Sequence, residues 1–274
     1  MRAIPSEFDR TKLRQIDHEL ATIKHDDQVS IILAIESGSR AWGFPSPDSD
    51  YDCRFIFVRR LDDYLSPWPK RDVIERPLVD DLDVGGWELG KALKLMLKGN
   101  AVVLEWLRSP IVYEGRRELA VHLLDLARLH SGRTAVARHY LHLGERQRRT
   151  YFADEKHVQL KKLFYALRPA AALRWLRQRP SETVPPMHFP TLMEECDPPA
   201  QVRRLSESLI EQKRHTRELG AAPLPKPIKD FVDAEFALGH QWIPKRSRRL
   251  SNEAVAEAES LFRRVVLSLG GQHR

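Results

Sequence analysis

The sequence contains little cysteine and no long apolar run, and each shortage excludes a class of protein. Its 274 residues include two cysteines, Cys53 and Cys196, too few for a disulfide framework and without the spacing of a zinc site. No apolar run approaches the roughly 18 residues that cross a membrane. The N-terminal MRAIPSEFDR also lacks the apolar core of a signal peptide. We therefore expect a cytoplasmic protein with no membrane partner.

Metal-binding histidine motifs are absent as well, and acidic residues are outnumbered by basic ones. The eleven histidines form no HxxxH or HExxH pair, which argues against a helical zinc site. Hydrophobic residues make up 42% of the chain and charged residues 30%, the composition of a globular protein. The formal charge of +7 is compatible with a polyanionic partner.

The hydrophobic pattern predicts an α+β fold, with a small mixed sheet and flanking helices followed by an all-helical part. The period changes near residue 115, so we predict domains over 1–115 and 116–274. Helical spacing predicts a set of helices at the following positions: 11–24, 87–98, 101–107, 116–129, 134–149, 158–179, 201–219, 228–238 and 252–269. Pro169 lies inside one of them and should kink it or end it at Arg168.

Three strands are predicted in the first part. The apolar run 29–35 predicts a strand buried on both faces, and a second strand continues from Asp50 to Val58. The proline-rich stretch 61–77 is expected to be an excursion between strands. A short third strand is predicted over 78–84, ended by Gly85-Gly86.

Two carboxylates open the second strand. Asp50, Asp52 and Arg54 fall on one face because side chains alternate along a strand. The other face carries apolar residues: Tyr51, Cys53, Phe55 and Phe57. Paired carboxylates suit a divalent cation. The Gly38-Ser39 turn just before them offers backbone N–H groups to a phosphate, so the stretch indicates nucleotide chemistry.

The order of these features resembles a known signature. A strand is followed by Gly38-Ser39, ten intervening residues, and Asp50-Tyr51-Asp52. This is similar to the DNA polymerase β-type nucleotidyltransferase superfamily, and GSRAWGFPSPDSDYD is similar to its minimal nucleotidyltransferases. Four later sequence segments resemble the branch associated with RNA repair: LDVGGWELGKAL, LKGN, LEWLRSP and KKLFYALRP.

The resemblance implies a catalytic site. Asp50 and Asp52 would ligate Mg²⁺ or Mn²⁺, and a third carboxylate from a neighbouring strand would complete the metal site and activate the acceptor hydroxyl. We choose Asp83 as this third catalytic carboxylate, with Asp81 as the alternative. Gly38 and Ser39 would hold the triphosphate.

Basic residues are candidates for the rest of the nucleotide site. Arg40 either neutralises the triphosphate or pairs with Glu36 or Asp48. In similar enzymes a helix of the second domain supplies a lysine to the triphosphate, and Lys161 or Lys162 could do so here, with Arg168 assisting; a solvated basic face is the alternative. Trp42 and Phe44 are predicted to pack rather than to stack on a base.

The segment 131–180 is strongly basic, with twelve Lys or Arg against three acids. Tyr151, Phe152 and Trp175 lie among them. This pattern is typical either of a phosphate-binding groove for RNA or of an arginine-rich surface.

The predicted function is metal-dependent transfer of a nucleoside monophosphate from an NTP, with ATP the first choice, to a hydroxyl. An RNA end is the first choice of acceptor and a protein hydroxyl the second. The alternative from another class is a non-catalytic nucleotide- or RNA-binding module on the same scaffold.

Overall fold

A five-stranded mixed sheet lies at the centre of the N-terminal part of the computed structural model, which describes residues 1–216, 219–245 and 249–271. Its strands are β1 (Ser30–Glu36), β2 (Tyr51–Val58), β3 (Val73–Glu75), β4 (Leu82–Glu88) and β5 (Val112–Gly115). Their order across the sheet is β3-β4-β2-β1-β5. β2 and β4 run parallel, whereas the other neighbours are antiparallel. The predicted mixed sheet is confirmed.

Helices flank this sheet and make up most of the chain after it. They are α1 (Arg10–Asp26), α2 (Gly38–Trp42), α3 (Leu61–Leu65), α4 (Leu89–Leu97), α5 (Ala101–Trp106), α6 (Arg117–His130), α7 (Arg133–Tyr151), α8 (Leu163–Gln178), α9 (Phe189–Cys196), α10 (Ala200–His215), α11 (Lys226–Trp242) and α12 (Asn252–Leu269). The predicted α+β class is confirmed. Within the three described ranges, every helix is too short or too polar to cross a membrane.

The two faces of the sheet are covered by different helices. α1 packs through Ile16, Leu20 and Ile23 on the face that carries Tyr51 and Phe55, as the alternation in β2 predicts. The opposite face belongs to a larger apolar cluster with members on both sides of residue 115. Burying each large apolar side chain contributes about 1.5–3 kcal/mol, so the sheet and the later helices stabilise one another. The division of the chain into two domains near residue 115 stays a prediction.

The third predicted strand is displaced along the chain. β4 begins at Leu82 and runs through Gly85 and Gly86, so the expectation that the glycines end the strand is wrong. A Cβ on Gly86 would lie 2.2 Å from Cε2 of Phe55, so the glycine lets β4 pass this ring. Helix α4 consequently starts two residues later than predicted, and Glu88 caps it by accepting hydrogen bonds from two backbone N–H groups. The excursion 61–77 contains a short helix and the edge strand β3, which were not predicted.

The helix predicted over 158–179 is three elements. A two-residue strand β6 (Val158–Gln159) pairs with β7 (Ala221–Ala222), a 3-10 turn follows over Leu160–Lys162, and α8 then begins. Val158 and Gln159 pair their backbone with β7, so these two residues cannot form the first turn of the predicted helix.

Helix α8 runs through Pro169, so the alternative of a boundary at Arg168 is wrong, while the alternative of a kink stays a prediction. A proline inside a helix costs about 3 kcal/mol because it removes a backbone hydrogen bond and crowds the preceding turn. α8 is buried along almost its whole length. Gly144 of α7 packs onto the proline ring, where a Cβ would lie 2.9 Å from Cβ of Pro169. Burial of this helix offsets the cost of the proline.

Candidate active site

The three carboxylates predicted to form the site lie at the ends of two neighbouring strands. Asp50 is exposed and immediately precedes β2, Asp52 lies within β2, and Asp83 lies within β4. The parallel register of the two strands places Asp52 opposite Asp83. Their side chains are 27% and 44% exposed, so both remain open to a ligand. The choice of Asp83 rested on resemblance, and the sheet pairing supports it.

Arg54 lies between these two carboxylates. Its Nη2 donates to Oδ1 of Asp52 over 3.1 Å and to Oδ2 of Asp83 over 2.5 Å. Burial alone would lower the pKa of Arg54, but the hydrogen bond to Asp83 and the charge of Asp52 outweigh burial and raise that pKa. Sequence reasoning placed Arg54 on this face without giving it a role.

Asp81, the alternative third carboxylate, has a different environment. Its side chain forms an ion pair with Lys12 of α1, the helix on the far face of the sheet. Its carbonyl accepts the N–H of Tyr51 over 2.7 Å. The geometry therefore favours Asp83 over Asp81 as the partner of Asp52.

The backbone of Gly38 touches Asp52. A Cβ on Gly38 would lie 1.9 Å from Oδ2 of Asp52, and the φ of +59° is in the left-handed region that favours glycine. The N–H of Ser37 donates to the carbonyl of Asp52 over 2.8 Å. The glycine is thus required for the close approach of the turn to the strand, and the turn fixes Asp52.

Glu36, at the end of β1, supports Asp52 from inside the protein. It is fully buried, and its carboxylate accepts the N–H of Asp52 over 3.0 Å and the hydroxyl of Tyr113. Burial raises the pKa of Glu36 to about 7, and the charge of Asp52 adds to this increase. Burial also raises the pKa of Asp52, with the charges of Asp83 and Asp50 acting in the same direction and Arg54 opposing them. The sequence signal for Glu36 was an acid ending an apolar strand, which we considered only as a partner for Arg40.

A cavity of about 410 Å³ opens beside Asp50 and Asp52. This is within the roughly 300–1,000 Å³ typical of small-molecule sites. Its lining comes from the Gly-Ser turn, the loop before β2 and three later segments: Ser37, Gly38, Ser39, Trp42, Ser46, Asp48, Ser49, Asp50, Asp52, Lys161, Lys162, Tyr165 and Lys213. Asp48, Asp50 and Asp52 form the carboxylate wall of this cavity and the three lysines form the lysine wall, whereas Asp83 lies outside the lining.

Three lysines form the second wall. Lys161 and Lys162 belong to the 3-10 turn before α8, and Lys162 lies 5.0 Å from the ring centroid of Tyr165. Lys213 of α10 is 7% exposed, and its Nζ donates to the carbonyl of Phe44 over 2.7 Å. Burial lowers the pKa of Lys213 to about 8; the charges of Lys161 and Lys162 also lower it, whereas Asp48 raises it. Sequence reasoning missed Lys213, because its position in a basic helix end carries no motif.

Comparison with known proteins agrees with this geometry. Residues 13–264 match the family described as the RNA repair pathway DNA polymerase beta family. The chain belongs to this family. It is also 42% identical over 225 residues to the uncharacterized protein YcgL of Bacillus subtilis (strain 168), an alignment that covers 82% of this chain and 85% of that protein. The suspected membership of the RNA-repair branch of polymerase β-type proteins is confirmed.

Arg40 takes a structural position in this member of the RNA repair pathway DNA polymerase beta family. Its guanidinium donates to the carbonyls of Ser49 over 2.6 Å and Asp50 over 3.2 Å, and it lies 3.7 Å from the ring centroid of Tyr51. It lies outside the lining of the carboxylate cavity and lines a neighbouring cleft with Pro45. The predicted contact with a triphosphate therefore has no support from the geometry, whereas a role in holding the loop that carries Asp50 does.

Arg168, predicted to assist Lys161, is also placed outside the cavity lining. It is 5% exposed and donates two hydrogen bonds to the buried Glu105, over 2.8 and 3.0 Å. Tyr140 donates to the same carboxylate over 2.8 Å, and the Arg168 guanidinium lies 4.1 Å from the ring centroid of Trp42. This position gives Arg168 a structural role beneath Trp42, which lines the cavity.

Polymerase β-type nucleotidyltransferases generally use divalent metal ions, and the donor set here is of the right kind. Asp50, Asp52 and Asp83 offer hard carboxylate oxygens, the ligands that Mg²⁺ and Mn²⁺ prefer. Across residues 1–216, 219–245 and 249–271, however, no three Asp, Glu, His or Cys side chains are gathered around one point. The carboxylates fit such an ion in their chemistry, and Arg54 forms ion pairs with two of them, Asp52 and Asp83.

Proposed function

We propose that this protein transfers a nucleoside monophosphate from an NTP to a hydroxyl acceptor, with an RNA end as the acceptor class. One observation carries the proposal: Asp50 and Asp52 line one cavity together with lysines from the helical part, and Asp83 lies beside Asp52 on the adjacent strand. A metal-bound nucleoside triphosphate needs both walls, because its metal ions bind carboxylates and its phosphates bind cations.

Each wall has a defined part in the reaction. Asp50 and Asp52 would hold the divalent ions, whose chemistry is to bring the attacking and leaving oxygens together and to neutralise the developing charge. Asp83, beside Asp52, would accept a hydrogen bond from the acceptor hydroxyl, orient it and take its proton. Lys162 and Lys213 would bind the pyrophosphate as its bond to the α-phosphorus breaks.

The remaining lining suits the nucleoside. Tyr165 and Trp42 pack edge to face with ring centroids 6.1 Å apart, and both line the cavity, so Trp42, predicted from the sequence only to pack, is also a candidate to contact the base. Tyr151 stacks on Tyr165 at 5.6 Å. Aromatic faces accept any base, contributing about 1–3 kcal/mol per stacked base. We keep ATP, the first choice from the sequence, as the nucleotide, since the residues that line the cavity indicate no preference among bases.

Part of the basic segment 131–180 supports RNA as the acceptor. Several of its arginines form ion pairs inside the fold, such as Arg148 with Asp233 and Arg168 with Glu105. Arg146 and Arg149 are exposed on α7, the helix that ends at Tyr151 beside the cavity. These two exposed arginines are candidates for phosphate contacts along an RNA strand that reaches the site.

A transfer assay tests the proposal. The protein is incubated with each α-³²P-labelled NTP, Mg²⁺ or Mn²⁺ and pooled RNA, and label is followed in RNA and in protein separately. We expect label in RNA from the wild type and none from Asp50→Asn/Asp52→Asn. Asp62→Asn, which removes an exposed acid on α3, serves as the control for loss of a surface carboxylate and should remain active.

The other readings predict other results of the same assay. Label in protein alone would replace RNA by a protein hydroxyl as acceptor. Tight NTP binding without transfer to either would support the non-catalytic module and contradict the enzyme.

A further inference from the structure

Arg54 contacts both carboxylates of the site through one nitrogen. Nη2 reaches Oδ1 of Asp52 over 3.1 Å and Oδ2 of Asp83 over 2.5 Å, and the arginine side chain is 21% exposed. The two carboxylates belong to different strands, so one guanidinium fixes the separation of two side chains that no local turn connects. Two like charges at neighbouring register positions repel, and a cation between them removes that repulsion.

The backbone holds the guanidinium in this place. Nη1 donates to the carbonyls of Asp83 over 3.0 Å and Cys53 over 3.1 Å. Gly85, the register partner of Arg54 on β4, leaves the adjoining space without a side chain. With its second nitrogen anchored on the sheet backbone, Arg54 presents Nη2 to the carboxylates at a fixed position.

We propose that Arg54 is a positioning residue that sets the distance between Asp52 and Asp83 and competes with a divalent cation for their oxygens. The inference rests on the proposed function, because it assigns metal binding to these carboxylates. Two effects follow that have opposite signs. Removing the arginine leaves the carboxylates with more negative charge for a free cation and with less defined positions for the reaction.

The test measures Mn²⁺ binding by the nucleotide-free protein, using electron paramagnetic resonance of free Mn²⁺, and turnover in the transfer assay. In Arg54→Gln we expect Mn²⁺ to bind at least about fivefold more tightly, because one positive charge beside the ion is gone. We also expect at least about tenfold lower turnover, because the acceptor-orienting carboxylate is no longer held.

Arg54→Lys separates charge from geometry. An ammonium keeps the competing charge but lacks the planar fork that reaches the carboxylates and the backbone together. Its Mn²⁺ affinity should stay within about twofold of the wild type while turnover falls. Arg76→Gln is the matched control: Arg76 also contacts two carboxylates, Glu19 and Asp27, on α1 and just after it, and its loss should change neither quantity.

These measurements test the role of Arg54 independently of the proposed transfer reaction. Unchanged or weaker Mn²⁺ binding in Arg54→Gln overturns the inference even if transfer to RNA is found. If Arg54→Gln does not fold by circular dichroism, full turnover of Arg54→Lys overturns it instead. If neither the wild type nor Arg54→Gln binds Mn²⁺, the inference is overturned together with the metal role of Asp52. If the Mn²⁺ affinity shifts as predicted but no nucleotide is transferred, only the proposed function is contradicted.

Discussion

The two walls of the cavity are built in different ways. The carboxylate wall comes from β2 and the loop just before it, and pairing with β4 places Asp83 beside Asp52 but outside the cavity lining. The lysine wall comes from a 3-10 turn and from the last turn of α10, about 50 residues apart in the chain. Sheet pairing fixes the first wall directly, whereas the second wall depends on how the later helices pack. The site therefore combines one locally determined half with one half set by tertiary structure.

The two sides of the site also differ in how far their charges are compensated by neighbouring groups. Asp52 and Asp83 share Arg54 as a counter-ion, and both are open to solvent in part. Lys213 is nearly buried, close to two further lysines, and its pKa is lowered. The charge of Asp52 and Asp83 is thus partly neutralised before a ligand arrives. The lysine wall retains an unfavourable concentration of positive charge that a polyphosphate would relieve.

The largest expected effect tests the carboxylate that lies beside the carboxylate wall. Asp83→Asn should lower kcat/KM for nucleotide transfer at least about 1,000-fold, or about 4 kcal/mol, because the group that orients the acceptor hydroxyl can no longer accept its proton. Asp81→Asn, which loses an ion pair with Lys12 on the other face, should stay within a few-fold of the wild type. The reverse order of these two activities would transfer the catalytic role to Asp81.

The next effect separates structural from ligand-binding arginines. Arg168→Met should lower the free energy of unfolding by about 3–5 kcal/mol, because it leaves the buried Glu105 without its ion-pair partner. Urea denaturation measures this loss. The double variant Glu105→Gln/Arg168→Met should recover part of it. If stability is unchanged and the KM for NTP rises, Arg168 would instead have the nucleotide-binding role predicted from the sequence.

A third prediction concerns the buried support of the carboxylate wall. The pKa of Glu36 is about 7 in the folded protein, above its ordinary value of 4.5, so the folded state binds a proton that the unfolded state releases between these values. The wild type should therefore gain up to about 3 kcal/mol of stability as pH falls from 7 to 4.5, relative to Glu36→Gln. Denaturant titrations across this range measure the difference. The exposed Glu253→Gln serves as the control, and parallel pH curves for wild type and Glu36→Gln would contradict the prediction.

The smallest effect tests the lysine wall. Lys213→Met should weaken binding of a non-hydrolysable NTP about 10- to 100-fold, since one cation facing the phosphates is lost. Isothermal titration calorimetry measures it, with the exposed Lys98→Met as control.

The same lysine gives a pH signature. Because its pKa of about 8 lies below the ordinary 10.5, Lys213 loses its charge in the folded protein first. Wild-type affinity for the NTP analogue should therefore fall between pH 7 and 9, and stability should rise with pH from about 8 upward. Both trends should be absent in Lys213→Met. Their persistence would mean that another group causes them.

What could be predicted from the sequence follows the same division. The pair Asp50 and Asp52, the Gly-Ser turn and the alternating face of β2 depend on neighbours within a few residues, so spacing was enough to find them. Asp83 needed a resemblance, because nothing in its own surroundings specifies which strand lies beside β2. Lys213 could not be found, since its approach to Phe44 depends on the packing of α10 against the loop before β2.

The errors in the fold have a related cause. Gly85-Gly86 was interpreted as the end of a strand because glycine weakens strands in general, but the ring of Phe55 on the neighbouring strand reverses that preference. Pro169 was interpreted as a kink or a helix boundary for the same kind of reason, and the helix continues because the burial of α8 outweighs the cost of the proline. In both cases tertiary packing overrode a local propensity.

The contact between Gly86 and Phe55 links two positions that are 31 residues apart in the chain. With a Cβ at position 86 placed 2.2 Å from the ring, any larger residue there needs a smaller side chain at position 55. The two positions should therefore vary together among proteins of this family, with glycine at one accompanying an aromatic ring at the other. Such paired variation would identify β2 and β4 as neighbours from sequences alone, and with them the juxtaposition of Asp52 and Asp83.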